Sequence, residues 1–254
     1  MKYFAKLRML VLAMAGSLWA TAAQAAPVDG EKLVTGLGEE ICRLHTEGIE
    51  ARARRDVAGA HLAWHLAIRM SRVAIKAGAA EAIRPVAGEC LAESFMQLAQ
   101  AIVDQANAKL GKHGTMKAYV DALTEYVRTT QEASQHLVEA EEASNGAGRA
   151  KASVTRAQLA LRWAELLVGT PPPAGFQTAE LKSQWTEQLT EKARPHRNTA
   201  VNLMARVALE HKQAGSTAGP AAAWSQQALT WLAKHAPDVL ATVQAGTFQP
   251  LPES

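Results

Sequence analysis

From Leu33 onward, apolar residues return at steps of three and four, and no stretch keeps a strict two-residue alternation. That rhythm places the apolar side chains on one side of a helix, whereas a half-buried strand needs a period of two. Alanine, leucine, glutamate, glutamine, lysine and arginine dominate, all strong helix formers, and aromatics are only 5% of the chain. No Asn-Gly or Asp-Gly turn joins two β-type runs. The expected fold is all-α.

Glycine and proline divide the 254 residues into segments. Helix one is expected from about Glu31 to Arg55, with Leu33, Leu37, Ile41 and Leu44 as its stripe and Asp29 as its N-cap. Asp56 is the expected cap of a second helix, which carries Ala60, Trp64, Ala67 and Ile68 and stops near Gly78. The third runs from about Ala79 to Leu110 and buries Leu91, Phe95, Leu98 and Ile102, with Pro85 in its first turn or at a kink. Gly111 to Gly114 closes it, and Thr115 can cap a fourth helix reaching Ala143. A fifth ends at Val168.

Gly169-Thr170-Pro171-Pro172-Pro173-Ala174-Gly175 follows, and three prolines in a row favour extended polyproline II. This is the expected joint between two substructures. A long helix from about Thr178 to Ala214 comes next, bent or split by Pro195. After a turn at Gly215 to Pro220, the last strong helix runs from Ala221 to His235 and is closed by Pro237; the tail beyond Pro250 should be extended. Short turns between such helices imply antiparallel pairs, stacked as a short α-solenoid or closed into a helical bundle. The expected division is 27–168, a joint at 169–176, and 177–254.

The first 26 residues read differently. Lys2, Lys6 and Arg8 precede an apolar run from Met9 to Trp19, and Ala23-Gln24-Ala25 supplies a small-residue cleavage site. This is the layout of a cleaved secretory signal, its apolar core of roughly a dozen residues too short for a bilayer that needs about 20. The leader holds three of the 27 basic residues and none of the 24 acidic ones, so the remainder is balanced in charge. A balanced, exported chain is not expected to bind nucleic acid or to span a membrane.

Two cysteines remain, Cys42 and Cys90. In an oxidising compartment an isolated pair of this kind is expected to form a disulfide, clamping the first helix to the third. Closing a loop of about 50 residues stabilises a fold by roughly 3–4 kcal/mol on loop entropy.

No nucleophile elbow, phosphate loop or dinucleotide-binding motif occurs, and no carboxylates stand out as an acid–base pair. Catalytic residues and cofactors are therefore not assigned. His61 and His65, four apart, share a helix face and are the candidates for a metal site, although the H-E-x-x-H pattern is absent. Charge is unevenly spread: Arg43 to Arg84 holds eight basic and four acidic residues, and Pro85 to Glu142 holds four basic and nine acidic. Either neighbouring helices of opposite sign attract, or a polarised surface steers a partner. Trp224 and Trp231 are core residues if covered and a partner-docking patch if exposed together.

Asn202-Leu203, Lys212-Gln213-Ala214-Gly215 and the Ala-rich segment closing at Pro237 resemble a degenerate tetratricopeptide unit. The Arg/Ala/Glu-rich composition and the Pro252-Glu253 ending are similar to those of myxobacterial periplasmic proteins, including members of the gliding-motility apparatus. These resemblances imply a non-enzymatic periplasmic scaffold or adaptor that binds other cell-envelope proteins. The alternative is a periplasmic helical protein that binds a metal or small ligand through His61 and His65.

Overall fold

A computed structural model describes residues 30–76, 80–110, 115–214 and 219–253. The leader and its cleavage site, Asp29, and the turns at 77–79, 111–114 and 215–218 lie outside the described residues. The rest is all-α. In chain order the helices are α1 (Gly30–Ala53), α2 (Val57–Lys76), α3 (Ala80–Lys109), α4 (Met116–Ala143), α5 (Gly146–Val168), α6 (Ala179–Ala214), α7 (Pro220–His235) and α8 (Pro237–Ala245).

Local chemistry sets most of these bounds. The Asp56 carboxylate accepts from the Gly59 N–H at 2.9 Å, and the Thr115 hydroxyl accepts from the Ala118 N–H at 3.2 Å, so both predicted caps hold the first turns of α2 and α4. Thr178 does the same for α6, accepting from Leu181. At the end of α1, Arg55 adopts φ 62° while Asp56 N–H donates to Ala51 and Arg55 N–H to Arg52. This is a Schellman closure with arginine where glycine is usual.

Prolines at three places bear on the element bounds. Pro195 does not split the long helix: α6 is continuous, because the ring removes one N–H while Leu189, Ala193, Ala200 and Met204 stay buried on either side. Pro237 ends α7 but also opens α8 from its first position, where a missing N–H costs nothing. Buried residues on both sides of the prolines at 171–173, among them Val154 of α5 and Met204 of α6, share one cluster. The prolines lead into a turn at Ala174-Gly175 beside α6, with the Trp185 indole N–H donating to the Thr170 carbonyl at 3.1 Å and Phe176 edge-on to Trp185.

Each helix packs on its neighbour in the chain, and α1 also meets α3, α3 meets α5, α5 meets α7, and α6 meets α8. The core follows the same progression. Ile41, Leu44, Ala67, Ile83 and Leu91 join α1 to α3; Trp64, Ile68, Phe95, Leu98, Leu137 and Leu159 extend through α5. Val154, Met204, Val207, Leu232 and Val243 then unite α5 to α8. Helix α5 thus serves both clusters, Leu159 turning to one and Val154 to the other, and the passage between the halves lies within it.

Close approach of the helices depends on small residues. A methyl on Gly48 would stand 2.2 Å from the Trp64 indole nitrogen, and one on Gly88 would stand 2.5 Å from the Ala143 carbonyl. Cys42 and Cys90 are joined, their Cα atoms 5.2 Å apart, tying α1 to α3 as expected. Among the described residues, no helix is long and apolar enough to cross a membrane.

Candidate protein-docking site

On α6, Asn198, Asn202, Arg206 and Glu210 recur every fourth residue, a polar stripe running beside the buried Val201, Met204 and Ala208. The chain returns to cover that stripe. Gly246, in the left-handed region at φ 74°, closes α8, with Thr247 N–H donating to Thr242. Lys212 of α6 donates to the Gln244 carbonyl at the end of α8. Residues 247–253 then run without regular structure, antiparallel to α6.

Asn202 holds this segment by its main chain. Its Oδ1 accepts from Leu251 N–H at 2.8 Å, and its Nδ2 donates to the Leu251 carbonyl at 2.9 Å and to Glu253 Oε1 at 2.7 Å. One turn earlier, Asn198 Nδ2 donates to the Pro252 carbonyl at 2.6 Å. Phe248 and Leu251, half-buried, rest against the core of α5 to α8.

Beside the segment lies a cleft of about 590 Å³, bounded by Arg156, Thr199, Leu203 and Arg206 on the helices and by Phe248 and Pro250. Two of its arginines share a buried carboxylate: Glu141, only 8% exposed, accepts from Arg156 at 3.2 Å and from Arg206, which also donates to the Ser153 hydroxyl at 3.1 Å. Glu210 faces both Arg206 and Arg149. On the helical side the cleft is lined by Arg156 and Arg206 against one carboxylate, Glu210.

The other candidates are placed as follows. His61 lies near the Trp64 ring, and His65 is exposed. Partial desolvation first, then the positive neighbours His136, His61 and Arg72, pushes the His65 imidazole below its usual range. Among the described residues, no three His, Cys, Asp or Glu side chains gather in a way that could hold a metal ion. Trp224 and Trp231 are half-buried against the core of α5 to α8, and Trp231 stacks on His235 with centroids 4.8 Å apart.

Of the two charge blocks, Arg43 and Arg84 pair with glutamates of their own helices and Arg54, just past α1, with Glu50, while Arg72 reaches across to Glu139 of α4 at 2.9 Å. One pairing that the sequence does not suggest imitates a catalytic dyad: His45 Nδ1 lies 3.1 Å from Ser94 Oγ. Ser94 is fully buried and its hydroxyl donates to the Cys90 carbonyl, so it accepts from His45 and has no path to a substrate. The Asn198/Asn202 ladder is equally hard to foresee. Its four-residue spacing is visible in the sequence, but nothing local shows that distant residues lie upon it.

These features define a class: an all-α chain of packed helix pairs, cross-linked by one disulfide, with its own residues 247–253 lying along α6. No family model matches the chain, and no curated protein or solved structure is significantly similar to it.

Proposed function

We propose that this protein is a non-enzymatic scaffold or adaptor of the bacterial periplasm, a tetratricopeptide-like helical repeat that links other cell-envelope proteins. The observation that carries this reading is the grip of Asn202 on both the N–H and the carbonyl of Leu251. A helix face that satisfies main-chain groups in this way suits docking of extended polypeptide and gives no leverage on a reacting bond. The signal-like leader at 1–26 and the Cys42–Cys90 disulfide both fit an oxidising, exported setting. A gliding-motility complex is the specific assembly suggested by the compositional likeness.

Crosslinking in intact cells, followed by affinity capture and mass spectrometry, tests the proposal. Inner- or outer-membrane components should be recovered. Recovery of the protein alone, or an uncleaved cytosolic precursor, would overturn it.

A further inference from the structure

We infer that the α6 ladder is a docking groove for extended Pro–apolar–Pro–acidic segments of a partner protein, with residues 247–253 as an internal occupant that the partner displaces. The inference rests on the adaptor reading and adds the partner's chemistry and its control.

The groove recognises a backbone pattern. Within Pro250-Leu251-Pro252, only Leu251 has an N–H, and that group donates to Asn202. The carbonyls of Leu251 and Pro252 go to Asn202 and Asn198. Prolines on either side hold the segment extended before it binds, so little freedom is lost on docking. A central apolar side chain enters the core edge as Leu251 does, and an acidic residue meets the Asn202 amide in a cleft that Arg156 and Arg206 also line.

The internal occupant is lightly held. Gln249, Pro250, Pro252 and Glu253 are exposed, and only Phe248 and Leu251 are partly covered. Met204, Leu232 and Val243 are at least 98% buried within the helices, so the core of α5 to α8 does not depend on a few contacts with the segment. The open cleft alongside gives an incoming chain a place to begin exchange.

The probe is a fluorescein-labelled peptide, Thr-Phe-Gln-Pro-Leu-Pro-Glu, followed by anisotropy against the full chain. A Phe248→Ser/Leu251→Ser variant, with its own segment loosened, should bind the peptide at least tenfold more tightly than the unaltered chain. Adding Asn202→Ala should weaken that binding at least tenfold with the helical circular dichroism unchanged. Replacing both prolines of the peptide by alanine should weaken it several-fold. Equal binding to loosened and unaltered chains, no binding to a folded loosened chain, or indifference to Asn202→Ala overturns the inference. So does a loosened chain that excludes the peptide by pairing with a second copy.

Hydrogen exchange on the unaltered protein gives an independent reading if the loosened variant does not fold. Leu251 N–H should exchange at least a hundredfold faster than the amide of Met204; equal rates would make the segment an integral portion of the core and overturn the inference. The two proposals also separate in cells. Envelope crosslinks that persist in an Asn202→Ala protein that binds no peptide leave the adaptor reading standing and remove the groove. Peptide binding without any crosslinked partner does the reverse.

Discussion

At Gly48 the identity of one residue is dictated by another sixteen positions away. The indole of Trp64, 1% exposed, lies across the α1 backbone, and its rigid ring has nowhere to retreat. Gly48→Ala gains about 1 kcal/mol of helix propensity but overpacks a buried ring at a cost of about 1–3 kcal/mol. The net expectation is a loss of up to about 2 kcal/mol, measured as a lower denaturation midpoint in urea. Arg55 presents the opposite case. It holds a left-handed φ of 62° with its side chain exposed, so Arg55→Gly relieves strain and should raise stability by about 0.5–1 kcal/mol. A fall in the melting temperature of that variant would mean the guanidinium has a structural role absent from this geometry.

Among the elements, α1 and α3 are joined by a covalent tie, and α4, α5 and α6 meet at an ionic one. Cys42→Ser with Cys90→Ser releases a loop spanning 48 positions, for which loop entropy gives about 3–4 kcal/mol. Reduction by dithiothreitol should lower the unfolding midpoint of the unaltered protein by the same amount and leave the double variant unmoved. Glu141 of α4 ties α5 to α6 by accepting from Arg156 and Arg206. Glu141→Ala leaves two cations facing each other over a buried floor, and with both arginines partly solvated a loss of about 2–3 kcal/mol is expected. Salt should recover some of that loss, since added ions screen the exposed guanidinium groups.

Across the whole molecule, histidines set the response to mild acid. Burial pushes His45 and His196 below their usual range, as partial desolvation and nearby cations do His65. The folded state keeps these rings neutral while the unfolded chain protonates them near about 6.5, so the unfolded state binds more protons. Stability should therefore be fullest above about pH 7 and decline as pH falls toward about 5. Glu93 acts lower on the scale. Burial alone would raise its carboxyl, but hydrogen bonds from Lys151 and Gln97 outweigh that and hold it below the usual range. Its contribution is present above about pH 4.5 and disappears as pH falls through its lowered value. Urea unfolding from about pH 8 to about pH 3 should trace both declines; a flat profile between about 7 and 5 would contradict the histidine account.

Helix type, helix bounds and the capping residues were legible in the residues themselves. Asp56 and Thr115 act through neighbours three positions away, and the spacing of Leu91, Phe95 and Leu98 shows one helix face without reference to what packs on it. The disulfide followed from there being just two cysteines. What the chain order could not convey was whether a proline starts or stops something: Pro195 continues α6 because buried residues flank it, and Pro237 both ends one helix and opens the next. The groove was hidden for the same reason. Asn202 and Leu251 are 49 positions apart, and only the stacking of α5 to α8 brings an amide side chain level with the one free N–H between two prolines. Periodicity is a property of short range, and a docking surface is a property of what long range brings together.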